Sequence, residues 1–144
     1  VTVPADLAGF NEDFVEGRSL HLMGDNAFWY VKYRDTDIFG SADMRLDRQK
    51  QYLTSFIEAA KQAVHKDVSV VIDLYQAVKP QMVTDVSLDK VAYLAPILAE
   101  YAYDGDDFHN LQGETVMGEQ YEEFYPDEEA MFEMILDVFY EKVQ

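Results

Sequence analysis

The side chains best suited to bind a ligand lie in one short stretch. Lys32, Arg34, Arg45, Arg48 and Lys50 are five of the eleven basic residues, and they fall within nineteen positions. Three of the four arginines are among them. A guanidinium donates two parallel hydrogen bonds to one oxyanion and keeps its charge when partly buried, so arginines that converge on one cleft suit a phosphate or a diphosphate. The plainer reading is also open, because Asp35, Asp37, Asp43 and Asp47 share the segment and exposed ion pairs on a helix are common and energetically minor.

The surroundings sharpen the contrast. The chain has 144 residues and a formal net charge of -17, and residues 100 to 144 hold fourteen acids against the single base Lys142. Such a surface repels nucleic acid, so an anionic ligand must meet a local patch. There is no cysteine, which excludes disulfides, thiolate metal sites and a thiol nucleophile. His21, His65 and His109 are too scattered to mark a metal site and read as surface or strand-edge residues. The turn Asp104-Gly105-Asp106-Asp107 lacks the ligand spacing and closing glutamate of an EF-hand. No apolar run approaches the roughly 18 residues that span a bilayer.

The elements that must position the basic residues can be read from periodicity. Val1-Thr2-Val3 and Ser19 to Leu22 are short strands, and Gly24-Asp25-Asn26 introduces a helix from Ala27 to about Tyr33. A polar loop ends at Gly40, and a long helix runs from Ser41 to about His65. Its apolar residues Leu46, Leu53, Phe56, Ile57, Ala60 and Val64 recur at spacings of three, four and seven, which predicts one buried face. Arg45, Gln49 and Tyr52 form a stripe beside that face, Arg48 projects further round, and Arg34 arrives from the preceding helix end.

Val68 to Val78 is helical and stops before Pro80. Ser87 caps a helix from Leu88 to about Tyr101 that Pro96 kinks or divides. Phe108 to Leu111 and Gln120 to Tyr125 are strand candidates. Asp127, Glu128 and Glu129 open a last helix with Met131, Ile135, Val138 and Phe139 facing inward. With no linker or repeat, residues 1 to 144 read as one helix-rich α/β domain with three or four short strands.

The run Gly24-Asp25-Asn26-Ala27-Phe28-Trp29-Tyr30-Val31-Lys32-Tyr33-Arg34, followed by Asp43-Met44-Arg45-Leu46-Asp47-Arg48-Gln49-Lys50-Gln51-Tyr52-Leu53, resembles the C-terminal half of the LytR-CpsA-Psr domain, the cell envelope-related transcriptional attenuator domain. Sequences of that family run roughly L-x-G-x-x-A-L-x-Y-V-R-x-R, then a loop, then R-x-x-R-Q-x-x-x-L. Val1 to Leu7, Val83 to Leu88 and Gly118 to Tyr140 are similar to other family segments in the same order, so the resemblance covers essentially the whole chain.

The resemblance implies the C-terminal part of an α/β/α sandwich. It implies an outward-facing, membrane-anchored phosphotransferase, extracytoplasmic, that moves a glycopolymer from a polyprenyl diphosphate carrier to the peptidoglycan of the cell wall. On the matching positions Arg34, Arg45 and Arg48 would grip the diphosphate, with Gln49 in a positioning role. Lys32 stands where the family usually has an arginine, which keeps the charge and loses the two-point fork. Ala42 stands where it often has an acid.

The family also implies Mg2+, but the aspartates and the further arginine of its N-terminal half have no counterpart here, so this chain is expected to supply only the arginine half of the site. Phe28, Trp29, Tyr30, Tyr33 and Tyr52 are candidates to face a lipid tail, with core packing the alternative for each aromatic. Two other readings stay open: a non-catalytic polyprenyl-phosphate binding or regulatory module, and an acidic protein-interaction fragment. A homo-oligomer formed across an exposed strand edge is a further expectation.

Overall fold

The computed structural model describes residues 1–103 and 108–141, so the Asp104 to Asp107 turn lies outside the described residues. Among the described residues five α-helices carry the fold: α1 Gly24–Lys32, α2 Ser41–Lys66, α3 Val70–Val78, α4 Leu88–Ala99 and α5 Glu128–Phe139. Strands β1 Gly113–Met117 and β2 Glu122–Pro126 form an antiparallel hairpin in which Thr115 lies opposite Phe124 and Met117 opposite Glu122. The two N-terminal strand candidates do meet, but their pairing is reduced to a single antiparallel bridge between Thr2 and Ser19. The chain is thus helix-rich with a small sheet, consistent with an α/β fold. It divides into two compact units, Val1–Lys50 with Gly105–Gln144, and Gln51–Asp104.

The first unit has a small aromatic core. Val3, Leu7, Phe14 and Tyr30 are its fully buried residues. The Phe14 ring lies 6.2 Å from that of Tyr30, and Phe10 bridges outward to Tyr33 at 4.6 Å and Trp29 at 5.4 Å. The offset, tilted geometries are those that aromatic quadrupoles favour. Asn11 shapes the turn beneath them, its Oδ1 accepting from the backbone N–H groups of Asp13 and Phe14, and its Nδ2 donates to Asn26 at the start of α1. The Tyr30 hydroxyl donates to the Thr2 carbonyl at 3.0 Å, tying α1 to the N-terminal segment.

Burial pushes the Tyr30 phenol up to about 12 from an ordinary value of 10.0. Because the folded state holds the proton more tightly, stability is full below about pH 10 and declines as pH rises towards 12, by about 2 kcal/mol. Urea unfolding at stepped pH is expected to show this decline in the unsubstituted chain and to lose that share of it in Tyr30→Phe. An identical alkaline slope in both proteins would contradict the assignment.

In the second unit α3 and α4 pack through Val71, Tyr75 and Ala99, and the Tyr75 hydroxyl donates to the Val86 carbonyl at 2.8 Å. The two helix ends read from the sequence are found, since α3 gives way to a 3-10 turn at Lys79–Gln81 that contains Pro80, and Ser87 is the N-cap residue of α4. Pro96 is accommodated inside α4 without dividing it. An apolar groove of about 590 Å³ runs between the helices of this unit, lined by Phe56, Ile57, Val64, Leu74 and Leu98 among others.

Two expected inward faces are not covered. Among the residues of α2 only Ser41 and Arg48 are buried, and Leu46, Leu53 and Phe56 remain about two-fifths exposed. The apolar stripe is present at helical spacing, but Leu46 and Phe56 line concavities and do not fill a core. Helix α5 has no buried residue at all, although its start is well made: the Asp127 carboxylate accepts from the backbone N–H groups of Glu129 and Ala130.

Candidate functional site

The site begins at a glycine. Gly40 has a φ of +78°, a left-handed conformation that costs glycine little and other residues more, and it turns the polar loop into the first turn of α2. Asp43 and Met44 donate their backbone N–H groups to its carbonyl. Helix α2 then carries Arg45 and Gln49 on one face, four residues apart and hence one turn above the other. Arg34, two residues beyond the end of α1, reaches the same place from the other side of the loop. Its Nε donates to the buried Ser41 hydroxyl at 3.0 Å.

These residues line a cleft of about 430 Å³ together with Asp43, His109, Glu122 and Glu123. The hairpin forms its second wall. Glu122 and Phe124, two apart on β2, share a face, and Thr115 stands opposite Phe124. Glu122 binds Arg34 Nη2 through one oxygen at 2.5 Å and accepts the Gly40 backbone N–H through the other at 2.5 Å. The neighbouring Glu123 accepts from the Tyr125 hydroxyl at 2.6 Å, and this bond with the carboxylate's charge holds the Tyr125 proton above its usual range. Arg45 is half-buried, and among the described residues no hydrogen bond or ion pair engages it. A half-buried cation without a partner, inside a cleft, is poised to accept an anion.

The six basic and polar residues taken from the sequence therefore separate. Arg34, Arg45 and Gln49 come together in the cleft, with Gln49 also donating to the Val31 carbonyl at 3.0 Å. Arg48 does not line it. Three residues along the helix from Arg45, it turns inward to 2 % exposure, where Nε donates to the Tyr30 carbonyl at 2.9 Å, one terminal nitrogen to the Tyr33 carbonyl and the other to the Asp6 carboxylate. All three guanidinium nitrogens are occupied, and burial pulls its basicity below the usual arginine range. Its geometry is that of a clamp that fastens the end of α1 and the N-terminal segment to α2. Lys32 is exposed and sits over the Phe28 ring at 4.7 Å, and Lys50 is likewise outside the cleft.

The aromatic candidates also part company: Tyr30 is fully buried in the core and Tyr33 packs on Phe10. Phe28 and Trp29 remain 46 % and 39 % exposed and pack edge to face at 5.0 Å, whereas Tyr52 belongs to the second unit and stacks on Phe56. Glu122 and Glu123 are cleft residues that the sequence did not single out, and His109, read there as a surface or strand-edge residue, and Asp43, read there as an ion-pair partner, also line the cleft. His109 and Glu122 had no signal to place them there, since they lie far along the chain from the basic cluster, while Asp43 lies inside the quoted motif.

Among the described residues no group of three or more His, Asp or Glu is placed to hold a metal ion. No helix among them is long and apolar enough to cross a membrane.

Comparison with known proteins gives one result. The model of the LytR_cpsA_psr family matches residues 7–137, most of the chain, and thus spans the cleft and Arg48, while Asp6 of the clamp lies just before the matched segment. No curated protein and no solved structure matches.

Proposed function

The chain belongs to the LytR-CpsA-Psr family, whose role concerns the glycopolymers of the cell envelope, and from that premise we propose that the cleft between α2 and the hairpin holds the diphosphate of a polyprenyl-linked glycopolymer during its phosphotransfer to peptidoglycan. The observation that carries this reading is Arg45, half-buried and without a protein partner among the described residues, facing the same cleft as Arg34. Two guanidinium groups from different elements can bind both phosphoryl groups and offset the charge that grows on the leaving phosphate as the bond to the transferred group lengthens. Gln49, neutral and one turn beyond Arg45, suits a positioning role. Work on such a lipid carrier would be done at the outer surface of the membrane, with the chain supplying the arginine side of the site. The exposed Phe28 and Trp29 are two of the aromatic residues of the first unit that a lipid tail could meet.

The test compares two single substitutions on α2. Arg45→Ala and Lys50→Ala each remove one positive charge, but only Arg45 lines the cleft. In calorimetric titrations with geranylgeranyl diphosphate, Arg45→Ala is expected to weaken binding at least roughly tenfold, as loss of a charge-assisted contact should. Lys50→Ala should change it less than about twofold, since Lys50 lies outside the cleft and cannot contact a ligand held there. Equal losses in the two variants would mean that only net charge matters and would overturn the site.

A further inference from the structure

We propose that Glu122 is an internal stand-in for the ligand, a latch whose carboxylate occupies the anion seat made by Arg34 and the Gly40 N–H until a diphosphate displaces it. The inference rests on the reading of the cleft as a diphosphate site and concerns how that site is opened.

The contacts are those an anionic ligand would make. One carboxylate oxygen takes a guanidinium N–H and the other takes a backbone N–H, both at 2.5 Å. A phosphoryl group presents the same pair of acceptors with more charge. The seat is prepared independently of Glu122: the Ser41 hydroxyl fixes Arg34 through Nε, and the positive φ of Gly40 sets the direction of its N–H. Glu122 is also well inside, its side chain 9 % exposed against 26 % for Arg34, so the carboxylate and an incoming phosphate cannot share the place.

The hairpin is built to move this residue. Glu122 is the first residue of β2 and pairs with Met117 next to the turn, where the Gly118 N–H donates to the Tyr121 carbonyl at 2.9 Å. The opposite end is tied down where the Asp127 N–H donates to the Gln112 carbonyl at 2.8 Å, just ahead of α5. The tip of the hairpin is therefore held by the latch and the base by the backbone. A two-stranded hairpin is marginally stable without tertiary support, so loss of the latch frees the tip. Arg45 waits in the same cleft and would take hold of the second phosphoryl group as Glu122 leaves.

Glu122→Gln keeps the shape and removes the charge. The unsubstituted chain, Glu122→Gln and Arg45→Ala are titrated with inorganic pyrophosphate and with geranylgeranyl diphosphate, so that headgroup and lipid contributions separate. The latch predicts that Glu122→Gln binds both ligands roughly five- to tenfold tighter, because the competing charge-assisted contact is weakened and the open state is more populated. Binding that is unchanged or weaker in Glu122→Gln, while Arg45→Ala still loses affinity, overturns the latch and leaves the site standing. Indifference of both ligands to Arg45→Ala removes the site itself. Hydrogen exchange on the unsubstituted chain gives a second reading that needs no variant. Pyrophosphate should speed exchange of the Gly118 amide at the hairpin tip, and unchanged or slower exchange there contradicts the latch.

Discussion

Replacing Arg48 with alanine is expected to destabilise the chain by about 3 kcal/mol, measured by urea unfolding. Three bonds are lost together, to Asp6 and to the carbonyls of Tyr30 and Tyr33. What remains is a carboxylate that is 18 % exposed, two acceptors at the end of α1 and a cavity where the guanidinium stood. Water reaching Asp6 keeps the cost near the lower end of the range for broken buried pairs. Arg48→Lys should recover only part of the loss, since one ammonium on a flexible stem cannot reproduce a planar fork that reaches three acceptors. A cost below about 1 kcal/mol would contradict the clamp. The clamp also bears on function, because it fixes the carbonyl of Tyr33, the residue next to Arg34. Any weakening of diphosphate binding in Arg48→Ala should therefore accompany a loss of stability.

Changing Arg34 and Arg45 to alanine together should do the reverse. Each charge-assisted contact is worth on the order of 1.5 to 3 kcal/mol, and the two residues come from different elements, so their losses should roughly add. Arg34 must first release Glu122, which takes part of its gain, and the combined effect is expected at about a hundredfold loss of diphosphate affinity. The unfolding midpoint should fall less than in Arg48→Ala, because Glu122, next to the hairpin turn, can turn out to water once its cation is gone. A double variant that still binds within about threefold of the unsubstituted chain would show that the ligand sits elsewhere.

Much of this arrangement can be read in the sequence where it depends on neighbours along the chain. Gly40 before Ser41 marks the start of α2, and the four-residue spacing puts Arg45 and Gln49 on one side. The family motifs select Arg34. Arg45 and Arg48 are alike in the sequence, however, and only their surroundings divide them. Arg48 is buried because Asp6, 42 residues earlier, and two carbonyls at the end of α1 are there to receive it. No local pattern reports such a partner. Glu122 is 88 residues from Arg34 and sits in an ordinary run of glutamates and aromatics.

The first hairpin strand illustrates the same limit. Local apolar content favoured Phe108 to Leu111, but β1 lies at Gly113–Met117, where Glu114, Thr115 and Val116 find register with Tyr125, Phe124 and Glu123. Pairing with β2 outweighs local content there. Periodicity likewise located the apolar stripes of α2 and α5, yet it cannot say what covers them, and within the described residues both remain largely exposed.

The central claim is that Arg34 and Arg45 touch the diphosphate and Arg48 does not. The most direct measurement is the nuclear magnetic resonance of the four arginine Nε–H groups, assigned by single substitution and followed while inorganic pyrophosphate is added. The account predicts saturable shifts at Arg34 and Arg45, with Arg48 and Arg18 unmoved. Shifts at Arg48 with Arg45 silent, or uniform small shifts at all four, would contradict it.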